Sequence, residues 1–210
     1  MKIIAFNGSP RKSNNTATLL QQFLAGAESN GAETELIHLY DLQYTGCRSC
    51  FACKRLGSPT YGICAYPDDL KPIIERASTA DVLVFGTPIY FADVSAQMRA
   101  LLERLFFGFN AYDLEKRSLW ENSPKGVIIY TMGAKDEQLF QHINFTFQGF
   151  IERHLGPVDV LSSYDAYQFD DYSKYHCPMF DIEEKKEHYA KIFPEDCKAA
   201  YALGQKLTSE

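Results

Sequence analysis

Two rhythms of apolar and polar positions alternate along the chain. Residues 2–6 (KIIAF), 34–39 (TELIHL), 81–85 (DVLVF), 125–131 (KGVIIYT) and 158–162 (VDVLS) are short runs rich in β-branched residues, and the third is almost continuously apolar. A run of that kind suits a strand covered on both faces of a parallel sheet. The stretches between them follow the helical period. Residues 16–27 put Leu19, Leu20, Phe23, Leu24 and Ala27 on one face, and residues 70–77 follow a Pro67-Asp68-Asp69 start signal. Asp93 stands where it could cap a helix whose Val94, Met98, Leu101, Leu102 and Leu105 form a stripe, and a further helix is expected from Glu137 to about Glu152. Strands alternating with helices of this length specify βαβ units. The expected class is α/β, a doubly wound five-stranded parallel sheet of order 2-1-3-4-5.

Beyond residue 162 the texture changes. Residues 163–180 carry Tyr164, Tyr167, Tyr172 and Tyr175 among Asp165, Asp170 and Asp171, too many aromatics for a disordered linker. Residues 183–207 predict a terminal helix interrupted at Pro194. Residues 1–162 therefore form the sheet domain. Residues 163–210 form an aromatic and acidic C-terminal extension of that same domain, packing on it or on a second subunit.

Charge narrows the possible partners. Lys plus Arg number 21 and Asp plus Glu 27, a formal net charge of −6, with no basic block. Nucleic acid and anionic membranes both select for basic patches, so neither is expected as a partner. The opening apolar run is too short for an export signal, and no stretch is long enough to span a bilayer. A cytoplasmic protein is expected, its six cysteines being thiols or metal ligands rather than disulfides.

The most informative segment is residues 7–18, NGSPRKSNNTAT, between the first strand and the first helix. Free amides and the helix dipole at such a junction bind a phosphate. Ser9, Ser13, Asn14, Asn15 and Thr16 are short hydrogen-bonding side chains suited to line it, and Arg11 adds a permanently charged planar donor. Neither the Walker pattern nor the dinucleotide fingerprint is present. Doubly wound sheets bind ligands at the carboxyl ends of their strands. There the third strand is followed by Pro88, Ile89, Tyr90 and Phe91, and the fourth ends in Thr131, Met132 and Gly133. The first group suits a flat apolar ring, and the second allows close approach of backbone to a ring edge.

The combination of GSPRKSNNT with TPIYFADVSAQMRALLER resembles the flavodoxin-like NAD(P)H-dependent FMN oxidoreductases, a group that includes iron–sulfur flavoproteins. The resemblance implies a flavodoxin-like fold and FMN, with its phosphate on Ser9, Arg11, Asn15 and Thr16. The isoalloxazine would lie against Pro88, Ile89, Tyr90 and Phe91, with Thr131, Met132 and Gly133 at another edge. It implies NAD(P)H as co-substrate and a small-molecule electron acceptor such as a quinone or a flavin. It also implies a homodimer or homotetramer in which a neighbouring subunit closes each flavin site. No side chain need act as acid or base, so no catalytic residue is expected.

Cys47, Cys50 and Cys53 form C-x2-C-x2-C, and Cys64 follows after ten residues. The spacing matches a ferredoxin-type loop that could hold a [4Fe–4S] cluster. Structural zinc and metal-free thiols are the alternatives. Two further readings stay open: a non-enzymatic flavodoxin-like or iron–sulfur electron carrier, and a redox-sensing protein that uses the cysteine loop as its switch.

Overall fold

A computed structural model describes residues 1–209. The chain forms β1 (Lys2–Asn7), α1 (Asn15–Glu28), β2 (Glu33–His38), α2 (Lys71–Ala77), β3 (Val82–Tyr90), β4 (Asp93–Val94), α3 (Ala96–Phe109) and β5 (Lys125–Thr131). There follow α4 (Gln141–Ile143), a π-helical segment (Asn144–Gln148), α5 (Gly149–Leu155), β6 (Val158–Ser163) and α6 (Ile182–Thr208). The sheet runs β2-β1-β3-β5-β6, with every neighbouring pair in that order parallel, and β4 folds back antiparallel on the end of β3. The five long strands thus have the expected doubly wound order.

Successive side chains of a strand face opposite sides, so each inner strand feeds two cores. Ile4, Phe6, Leu83, Phe85, Ile128 and Tyr130 pack beneath α2, α3 and α5, with Phe106 and Trp120 in the same cluster. Ile3, Ala5, Val82, Val84, Val127 and Ile129 face α1 and α6. Helices α1 and α6 lie backbone to backbone. A Cβ on Gly26 would sit 2.0 Å from the Tyr201 carbonyl oxygen, and one on Gly204 would sit 2.0 Å from that of Phe23.

Local details depart from expectation. Asp93 lies in β4 and pairs with Arg99 at 2.7 Å, while Ser95 caps α3 by accepting from the Met98 amide. The helix expected from residue 137 begins at Gln141 and contains the π-helical segment. Pro194 does not interrupt α6, which runs unbroken for 27 residues. Pro194 is exposed, so water can satisfy the carbonyl that its missing N–H leaves over.

Candidate functional site

The carboxyl ends of β1, β3 and β5 open into a cavity of about 440 Å³. Ser9, Arg11, Asn14, Asn15 and Thr16 line one end of it, and Pro88, Ile89, Tyr90, Thr131, Met132 and Gly133 line its flanks. Eleven of the thirteen residues expected at a cofactor site therefore meet there. Ser13 and Phe91 do not. Ser13 is exposed on the outer side of the loop. Phe91 occupies, with Ala92, the two-residue turn between β3 and β4, at φ 49° and 64°. A turn with both central residues in the left-handed region follows the strand twist but throws the Phe91 side chain wholly into solvent.

The loop is shaped by its own short side chains. The Ser9 amide donates to Asn7 Oδ1 at 2.9 Å, and the Arg11 amide donates to Ser9 Oγ at 3.2 Å. Thr16 and Thr131 share a hydroxyl–hydroxyl bond of 2.7 Å, which ties the start of α1 to the end of β5. Gly8 donates to the Gly86 carbonyl at 2.8 Å, and a Cβ on it would meet Ser95 Oγ at 2.9 Å.

The start of α1 differs from that of α3 and α6. Ser95 and Asp181 cap those two helices with side-chain oxygens. At α1 the N-cap residue, Asn14, makes no side-chain cap bond, and the first turn carries no acidic residue. The first amides of a helix have no partner within it, and here the residues that carry them, Asn15 and Thr16, line the cavity beside the N-cap Asn14.

The C-terminal extension supplies a wall that sequence reasoning missed. Ala166, Gln168 and Phe169 line the cavity, as does Pro10. The Arg11 guanidinium donates to the Gln168 carbonyl. Asn15 is clasped by the extension, its Nδ2 donating to the Tyr167 carbonyl at 3.3 Å and its Oδ1 accepting from Tyr189 Oη at 2.8 Å. The Met132 amide donates to the Ser163 carbonyl at 3.0 Å and so is not free to meet a ring edge. Burial raises the Tyr90 phenol above its ordinary range, and the nearby Arg11 charge opposes that shift.

Cys47, Cys50, Cys53 and Cys64 all line one small void of about 20 Å³, next to Arg104, Tyr66 and Phe107. Among the described residues no three His, Cys, Asp or Glu side chains converge as ligands of a single metal ion. The void has room for about one water molecule, so the four cysteines would have to move apart to take a cluster. Burial raises the Cys53 thiol, with Lys54 acting in the opposite sense. Arg104 is almost completely buried and spends all five of its N–H groups here. They go to Cys64 Sγ at 2.8 Å, to both Asp68 oxygens at 2.7 and 3.0 Å, and to the carbonyls of Thr45 and Tyr66.

Comparison with known proteins decides the family. Residues 1–151 match the family described as NADPH-dependent FMN reductase. The chain belongs to that family. It is 38% identical over 104 residues to an iron–sulfur flavoprotein of Methanocaldococcus jannaschii, an alignment covering 50% of this chain and 51% of that protein. The chain spans about half the length of the curated relatives it matches. Among solved structures, an NAD(P)H:quinone oxidoreductase from Methanothermobacter marburgensis superposes with a TM-score of 0.71 at 18% identity, over 99% of this chain and 96% of that one. An FMN-dependent NADH-azoreductase from Bacillus anthracis, solved with FMN, gives 0.63 at 12% identity, over 97% and 100%. At such identities these two likenesses speak for the shared flavodoxin-like fold.

Proposed function

We propose that this FMN reductase family member is an NAD(P)H-dependent FMN oxidoreductase that passes electrons from a nicotinamide through bound FMN to a small acceptor such as a quinone or a free flavin. One observation carries the reading: the uncapped start of α1, with Arg11 and Ser9, lines the same cavity as Pro88, Ile89, Tyr90 and Met132. An anion would complete that helix terminus as Ser95 and Asp181 complete theirs. The residues fit FMN. Ser9, Arg11, Asn14 and Thr16 would hold the phosphate, Asn15 would fix the loop through its bonds to Tyr167 and Tyr189, and Pro88, Ile89 and Tyr90 would flank the ring opposite Thr131, Met132 and Gly133. When bound, FMN supplies the hydride chemistry, and the chain supplies orientation and electrostatics. No side chain is needed to move a proton.

Cys47, Cys50, Cys53 and Cys64 are proposed as the ligands of a [4Fe–4S] cluster, supported by their spacing in the sequence and by the iron–sulfur flavoprotein relatives. A homodimer is proposed as well. Phe91, Phe145 and Phe150 are exposed, and α3, α5 and the cysteine loop at Cys47, Ser49 and Phe51 border an open, largely apolar groove of about 490 Å³ that shares no residue with the flavin cleft. These exposed rings beside an open groove are what a partner subunit would cover. Among the described residues no helix is long and apolar enough to cross a membrane. The free thiols and a nicotinamide reductant suit the cytoplasm, where we place the protein.

Anaerobic purification tests this reading on one sample. Flavin bands bleached by NADPH or NADH, followed by reoxidation with a quinone, are expected. Protein that stays colourless after incubation with FMN would sink the assignment. Flavin that is reduced by a protein donor but not turned over by NAD(P)H would favour the electron-carrier alternative.

A further inference from the structure

The reading above leaves the Gln168 side chain without a role, although its backbone is fixed from several directions. Its amide donates to Tyr172 Oη at 3.0 Å, and its carbonyl accepts from Arg11. Just upstream, Asp165 stands at φ 49° with its carboxylate buried against the equally buried Lys185 ammonium. The amides of Asp165 and Ala166 donate to the carbonyls of Ala134 and Met132, each at 2.9 Å, so this segment runs beside the end of β5. Downstream, Phe169 stacks on Tyr175 with ring centroids 3.9 Å apart.

That frame lays the Gln168 side-chain amide over Gly133. A Cβ on Gly133 would stand 2.3 Å from Gln168 Nε2. Gly133 is not among the glycines at positive φ, so its backbone does not demand glycine. What glycine gives here is room for the amide. No side-chain hydrogen bond among the described residues uses that amide, and both residues line the cavity.

Resting on the FMN reading, we propose that Gln168 is the specificity-determining contact for the flavin ring, its amide pairing with the pyrimidine edge where the ring N3–H donates and an adjacent carbonyl accepts. A primary amide offers an acceptor and a donor side by side, which that edge matches. A phosphate has no use for the acceptor, and its end of the cavity is already served by Arg11 and the α1 amides. The backbone bonds around residues 165–168 suit that role, since a specificity contact must be held in place by its surroundings.

The experiment titrates the apoprotein with FMN, N3-methyl-FMN and riboflavin, following flavin fluorescence, for wild type, Gln168→Leu, Gln168→Ala and Arg11→Gln. Both Gln168 variants are expected to weaken FMN binding about tenfold. Wild type should lose a similar factor on N3-methyl-FMN, whereas the Gln168 variants should not distinguish it from FMN. With riboflavin the Gln168 penalty should persist and the Arg11 penalty disappear, which separates a ring contact from a phosphate contact. The proposal is overturned if the variants bind FMN as wild type does, if they discriminate against N3-methyl-FMN as strongly, or if their penalty vanishes with riboflavin. Wild type that binds no FMN overturns the wider reading and this one with it. Gln168 is only partly buried, so both variants should fold, and circular dichroism confirms that before titration.

Discussion

Among single residues, Arg104 has the clearest physical role outside the cleft. It interrupts the apolar run ALLERLFF and is buried, with every N–H met by an acceptor from the cysteine loop or the segment that follows it. The bidentate grip on Asp68 is the charge-assisted fork that lysine cannot reproduce. Arg104→Met would leave the Asp68 carboxylate without its counter-charge at a nearly closed site, at a cost of about 3–5 kcal/mol. Urea unfolding should show that loss, and Arg104→Lys should recover only part of it. A midpoint unchanged in Arg104→Met would mean that water replaces the guanidinium. An Arg inside an otherwise apolar helical stripe was visible in the sequence. That it spans to residues 45, 64, 66 and 68 was not, because those acceptors are carbonyls, a sulfur and a carboxylate brought close only by folding.

At the scale of elements, the pairing of α1 with α6 links stability to the site. The two helices approach through Gly26 and Gly204, and the same contact carries Tyr189 to Asn15 at the start of α1. A methyl group on Gly26 would collide with backbone rather than with the end of a flexible side chain, so the helices must move apart. Gly26→Ala should therefore cost about 1–3 kcal/mol. Thermal melts should show a lowered Tm, and an unchanged Tm would mean that the α1–α6 contact adjusts freely. The strands and the helical faces of α1 and α3 were legible because their periodicity is local. Cap identity was less so. Asp93 and Ser95 are both good N-cap residues, and the choice fell to Ser95 because β4 pairs with β3 and takes Asp93 into the hairpin.

For the whole molecule, several aromatic side chains are left uncovered in the monomer. Phe150 lines the largely apolar groove and packs edge-on to Phe106 with ring centroids 5.5 Å apart, while Phe91 stands clear of the fold on a turn built from two left-handed residues. Light scattering on purified protein should give the mass of a dimer or tetramer, and Phe150→Asp should shift it toward the monomer by placing a charge in the contact. A monomer at micromolar concentration in wild type would remove the dimer proposal and leave the groove without an occupant.

The sequence by itself determined the strands and their alternation with helices, the loop between β1 and α1, and the segment after β3. Each is written in contiguous residues whose spacing or hydrogen-bonding chemistry acts locally. Tertiary structure alone decided that Ala166, Gln168 and Phe169 wall the cleft, that Asn15 is taken up by Tyr167 and Tyr189, and that Phe91 points away. Those outcomes depend on contacts across 150 residues or more of chain, or on the hand of a two-residue turn, and no local pattern encodes a partner so far away.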